Sequence, residues 1–165
     1  MERIDEIDAK ILSLLQANGR MKRNAIAEAV GLSVPSVSER MRKLEDRGVL
    51  IGYHAIVNAK RLHFDITAII RVMVDGSDRY PNVIEQACAL DEVLEVHSIT
   101  GEGSHIFKVR TRNTTTLERL LSRIQSWPGV SGTRTSIVLS TFKETRQITV
   151  TPTQLFAYEE EEAVG

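Results

Sequence analysis

Cysteine is nearly absent from this chain. The single Cys88 excludes an internal disulfide framework and fits a reducing compartment. No apolar run approaches the roughly 18 residues a membrane-spanning helix needs, and the amino terminus lacks the charged-then-apolar pattern of a secretory signal. The expected location is therefore the cytoplasm. Charge of one sign is also lacking: the formal net charge is −1, so the chain as a whole is not a strongly basic polyanion binder. His54, His63, His97 and His105 are scattered without metal-ligand spacing and without a partner cysteine, so no metal site is expected. Ser104 beside His105 is no catalytic pair, because neighbours in a strand point to opposite faces. No catalytic residue and no cofactor is expected.

Charge is present locally. Residues 20–47 hold seven cations against four anions, whereas Glu159 to Glu162 close the chain with four carboxylates. Asp5 suits a helix cap, with Asp8 in the first turn, and Ile7, Ile11, Leu14 and Leu15 recur on one helical stripe that ends at Asn18-Gly19. A second short helix is expected over 23–30, poor in bulk at Ala25, Ala27 and Ala29, and Gly31 makes the turn after it. Ser33 then caps a third helix, Pro35 sits in its first turn, and Gly48 stops it. On that helix Val37, Met41 and Leu44 share one stripe; Ser36, Glu39, Arg42 and Lys43 point away from it, flanked by Arg40 and Arg47. Three helices with a tight glycine turn before the last make a helix-turn-helix pattern, in which the last helix enters the DNA major groove. An αα-hairpin with a solvated charged face is the alternative.

Beyond Leu50 the chain turns β-like to Val57, and 58–63 reads as a turn or short helical link. Residues 66–74 alternate as a strand apolar on both faces. Pro81 opens a helix, 93–100 and 105–111 are strands around Gly101-Glu102-Gly103-Ser104, Leu117 to Ile124 mark a helix, and a last strand runs from about Gly132 to Phe142. Strand, helix, strand, strand, helix, strand is the ferredoxin-like split βαβ order. Two helices cover one face of such a sheet, and a second subunit is the expected cover for the other. Glycine amides at Gly101 and Gly103 can receive a carboxylate, helped by the hydroxyls of Ser104, Thr133 and Thr135; equally, those glycines can serve only a tight turn.

Ile4-Asp5 with Asp8 and Ile11-Leu12, Gly31-Leu32-Ser33, Arg40, Leu44 and Gly48, Gly52-Tyr53, Gly101, Lys108, and Pro128-Gly129-Val130 before Thr133-Arg134-Thr135 together resemble the Lrp/AsnC (feast/famine) transcriptional regulators over about residues 3–148. The resemblance implies an α+β chain. Its parts are a winged-helix-like helix-turn-helix domain over 1–52, a linker over 53–64, a ferredoxin-like sensing and dimerisation domain over 65–150, and an acidic tail over 151–165, either flexible or packed on a neighbouring subunit. It implies a homodimer assembling to tetramers or octamers on a pseudo-palindromic duplex, with an amino acid or related metabolite as effector near the loop between the second and third strands of the sheet. Expected DNA contacts are Lys22, Arg23, Ser33, Ser36, Glu39, Arg40, Arg42, Lys43 and Arg47, with Ser36 and Arg40 foremost for base edges; expected effector contacts are Gly101, Glu102, Gly103, Ser104, Thr133 and Thr135. The chain departs from the family at Lys22, where serine is common, at His63, where glycine is common, and at Gly103-Ser104, where many members carry an aromatic residue and an aspartate. The readings from other classes are a tetrapyrrole-processing enzyme of the sirohaem decarboxylase branch and a metabolite-binding assembly module without DNA binding.

Overall fold

In the computed structural model, which describes residues 3–154, the short strand β1 (Arg3–Ile4) leads into helix α1 (Glu6–Ala17) through a reciprocal cap. The Asp5 carboxylate accepts the Asp8 amide at 2.8 Å, and the Asp8 carboxylate reaches back to the Asp5 amide at 3.5 Å. Helix α2 (Arg23–Val30) starts at Lys22 with no side-chain cap and ends at Gly31, whose φ of 71° is cheap only for glycine. Helix α3 (Val34–Asp46) is capped by Ser33, which accepts the Ser36 amide at 3.3 Å, with Pro35 in its first turn. Val37, Met41 and Leu44 bury against Ile11, Leu12, Leu15 and Ile26, so the apolar stripes meet in one small core. After Gly48 turns the chain, residues 51–58 form no ladder, where β-structure was expected.

The second unit runs from Val57 to Glu144. A 3₁₀ turn (Ala59–Leu62) ends at His63, which holds the left-handed φ of 60° that the family commonly gives to glycine. Then follow β2 (Ile66–Val74), α4 (Tyr80–Cys88), β3 (Val93–Ser98), β4 (His105–Thr111), α5 (Thr114–Gln125) and β5 (Val130–Ile137). The sheet is antiparallel in the order β3-β4-β2-β5, the ferredoxin-like arrangement. Alternation decides its faces: Ala68, Ile70, Val72, Phe107 and Val109 are buried against Val83, Ala87, Leu120 and Ile124 of the helices, while Ile69, Arg71, Met73, Ile106 and Lys108 look the other way and stay half-buried. The last strand starts two residues earlier and stops sooner than expected. Past Ile137 only the Val138 amide still bonds to β2, at the Thr67 carbonyl, and Glu144 ties the departing segment to the sheet by pairing with Lys108 and Arg110.

From Thr145 the chain belongs with the helical unit. The Gln16 side chain clasps the backbone of Ile148 on both sides, donating to its carbonyl at 3.0 Å and accepting its amide at 2.8 Å. Val150 packs on the helical core, and β6 (Thr153–Gln154) pairs antiparallel with β1 directly after the Pro152 that was expected to break any strand. The remainder of the expected acidic tail, from Leu155 on, lies outside the described residues. No helix among the described residues is long and apolar enough to cross a membrane.

Candidate nucleic-acid interface and effector loop

The outward side of α3 carries Ser36, Glu39 and Lys43, which with Arg40, Arg47, Leu32 and the Asp8 carboxylate border an open recess of about 410 Å³. Its amino-terminal end is stiffened by the cap, since the Ser36 hydroxyl also meets the Ser33 hydroxyl at 2.8 Å. Arg42 lies along the helix surface, forked onto Glu39 at 2.8 Å and Asp46 at 2.7 Å, and that fork holds the Glu39 carboxyl below its ordinary range. Lys43 stands 3.7 Å from the same carboxylate, and Arg47 donates to the Arg3 carbonyl at 3.2 Å. Lys22 and Arg23 are exposed at the start of α2. Cations and small hydroxyls therefore collect around the recess, the equipment for phosphate and base-edge contact.

Arg40 is the exception. Expected to face the groove, it turns back onto the start of α1, where its Nη1 donates to Asp5 at 2.8 Å and to Asp8 at 2.7 Å. Bonds first from Asp8 and then from Asp5 raise its pKa further; burial alone would raise the Asp5 carboxyl, but the Asp8 amide and Arg40 together hold it below its usual value. A guanidinium so paired braces α3 against α1, a positioning role beside the base reading expected of it. Sequence reasoning missed the pairing, although Asp5, Asp8 and Arg40 all stood in the quoted family pattern. It also left Tyr53 without a role: its hydroxyl donates to Glu45 at 2.9 Å, and burial, then Glu45, push its pKa up to about 12.

In the second unit the β3–β4 loop closes when the Ile99 amide donates to the Ser104 carbonyl at 3.1 Å. Gly101 and Gly103 both have φ of 89°, so each serves the turn, but Gly103 has a further reason: a Cβ there would lie 2.7 Å from Cγ of Arg71. The Glu102 carboxylate bridges Arg71 and Arg134. Ser104 is spent on the sheet, its amide donating to the Val72 carbonyl at 2.9 Å and its hydroxyl accepting the Val74 amide at 3.2 Å. Thr133 and Thr135 do not join the loop. They pair with Val72 and Ile70, so they lie on the helix side of the sheet, where Thr133 accepts from Gln125 at 2.7 Å. The side chains the structure gathers at the loop are Glu102, Arg71 and Arg134, with the two threonines on the other face. His105, next along the chain, is fully buried with the Tyr80 ring edge-on at 4.8 Å.

Comparison with known proteins finds two matching families along the chain. Residues 4–51 match the winged helix-turn-helix DNA-binding family, and residues 67–148 match the Lrp/AsnC ligand binding domain. The HTH-type transcriptional regulator FL11 of Pyrococcus horikoshii is 37% identical over 147 residues, covering 89% of this chain and 97% of that one. Among solved structures, AsnC of E. coli superposes with a TM-score of 0.83 at 30% identity, over 89% of this chain and 99% of its own. A feast or famine regulatory protein from M. tuberculosis, complexed with L-methionine, superposes with a TM-score of 0.83 at 33% identity over the same shares. These relatives are transcriptional regulators, which disfavours the tetrapyrrole-enzyme reading. The chain belongs to the Lrp/AsnC family of DNA-binding transcriptional regulators.

Proposed function

We propose that this protein binds a pseudo-palindromic operator as a homodimer or a higher assembly of dimers, and that an amino acid or related metabolite at the β3–β4 loop changes its operator affinity or assembly. The observation that carries the DNA half is the outward side of α3, where Ser36, Glu39 and Lys43 border an open recess while Arg40 locks the helix in place. Lys22, Arg23, Arg42 and Arg47 contact phosphates and set the register; Ser36, Glu39 and Lys43 meet base edges. Ser33 serves by capping the helix. Two-fold symmetry places the half-sites one or two helical turns apart. The dimer contact uses the sheet face that α4 and α5 leave uncovered, where Ile69, Met73 and Ile106 are apolar and half-buried, together with Leu139 and Phe142, which are 94% and 98% exposed in the single chain. The effector half is supported by the L-methionine bound to the M. tuberculosis relative and by the two arginines at the loop. The protein acts in the cytoplasm, where duplex and metabolites meet.

The test is selection of binding sites from random and genomic duplexes at two salt concentrations, with and without the twenty amino acids. Enrichment of a pseudo-palindrome that weakens steeply with salt, as counterion release requires, is the expected result. Salt-insensitive binding, or none, would return the chain to the assembly-module reading.

A further inference from the structure

Arg71 and Arg134 are direct partners in the β2–β5 register, so two guanidinium groups stand side by side on the uncovered face of the sheet. Like charges directly opposite each other in a sheet repel and call for a shared anion. Glu102 supplies it from the loop, one carboxylate oxygen 3.5 Å from Arg71 and the other on Arg134. The loop reaches that position because Gly103 has no Cβ to strike the Arg71 side chain. Three features make the bridge replaceable. In the single chain the side chains of Arg71, Glu102 and Arg134 are 38%, 56% and 67% exposed, so water competes for these contacts before copies meet. One carboxylate between two arginines leaves a surplus of positive charge. The Arg71 Nε is shut off from solvent with no hydrogen-bond partner, a donor that Glu102 does not satisfy.

We propose that Glu102 occupies the place of the effector's carboxylate: an incoming carboxylate takes the fork of Arg71 and Arg134, and the Glu102 side chain swings off as the site fills. This rests on the effector reading above and narrows it to ligands recognised through a carboxylate, with Glu102 as an internal competitor. Arg71 is flanked on its strand by Ile69 and Met73 of the proposed dimer face, so exchange of one carboxylate for another occurs where copies meet and is read out as a change in assembly.

The experiment is calorimetric titration of the full-length protein with each of the twenty L-amino acids, repeated with the amine that lacks the carboxylate of any that binds. Urea unfolding midpoints serve as the fold control for each variant. Glu102→Gln keeps the shape and removes the charge; it is expected to tighten binding about fivefold, the upper end of what an exposed ion pair contributes. Arg134→Gln is expected to weaken binding about tenfold in the Glu102→Gln background and by less in the wild type, where it also loosens the competing Glu102. The amine binds neither form. Wild-type binding that Glu102→Gln leaves unchanged or weakens, or an amine that binds as well as its parent, overturns the proposal while the effector reading stands. No amino acid binding to either wild type or Glu102→Gln overturns the effector reading and the proposal with it.

Discussion

In the DNA-binding unit two carboxylates hold one arginine; in the sensing unit two arginines hold one carboxylate. The first trio, Asp5 and Asp8 on Arg40, is the more enclosed, with side chains 49%, 9% and 30% exposed and both contacts at 2.8 Å or less. The second, Glu102 on Arg71 and Arg134, is open to water at every member. Stoichiometry and burial act in the same direction. An arginine outnumbered by carboxylates is neutralised where it stands, so it belongs first to the fold. A carboxylate outnumbered by arginines and bathed in water is a weak occupant of an anion site, so it belongs to function. The same pair of residue types therefore makes a brace in one unit and an exchangeable seat in the other.

The largest effect expected is on the brace. Arg40→Ala strands Asp8 nearly buried beside Asp5 without a cation, and breaking such a pair should cost about 2 kcal/mol of stability in urea unfolding, discounted from the cost in a fully buried site. Operator affinity should fall for all sequences alike, with base preference unchanged; a change of preference at one base pair would restore Arg40 as a base reader. A loss below about 0.5 kcal/mol would make the two trios equivalent surface decoration. Next in size is Ser33→Ala. It removes the oxygen that accepts the Ser36 amide at the head of α3 and should cost about 1 kcal/mol by the same measurement.

Much of the first unit was legible because its signals are local. Asp5, Ser33, Gly31 and Gly48 act on backbone within a turn of themselves, and an apolar stripe on a short helix has one place to go. Strand alternation and the order of elements gave the ferredoxin-like sheet for a similar reason. The Arg40 pairing was missed because its partner lies 35 residues away, and a long side chain on the flank of a helix reaches either inward or outward. Thr133 and Thr135 were expected near the loop for their hydroxyls; which residues face the helices is fixed only when β5 pairs with β2, and the parity brings Arg134, not its neighbours, to Glu102. The return of residues 145–154 to the helices has no local signal, since Gln16 and Ile148 are 132 positions apart.

A third prediction tests whether the sensing unit has any internal charge of its own to set against the brace. His105 is fully buried with neither ring nitrogen bonded, and burial lowers its pKa below the ordinary 6.5. The unfolded chain then takes up the proton first. Stability from the neutral ring is complete above pH 6.5 and is lost as pH falls from there through the lower folded value. Between pH 6.5 and 5.5 the loss has an upper bound of about 1 kcal/mol, and His105→Phe, which keeps a ring against Tyr80, should remove that slope whatever its own stability at neutral pH. A wild-type slope that persists in His105→Phe would assign the titration to another group.

The smallest effect expected is the one that separates the two trios most sharply. Glu102→Gln and Arg134→Gln should each shift stability by no more than about 0.5 kcal/mol, because exposed ion pairs gain little against water and lose side-chain entropy in forming. Raising the salt concentration should leave that shift near zero, whereas the cost of Arg40→Ala should persist, since a nearly buried pair is screened far less. The two substitutions at the loop must nonetheless move ligand affinity in opposite directions, one by removing a competitor and the other by removing a recognition group. Were Glu102→Gln instead to cost about 2 kcal/mol, the loop would be fastened as Arg40 fastens α3, and the surplus of positive charge beside it would have no ligand to wait for.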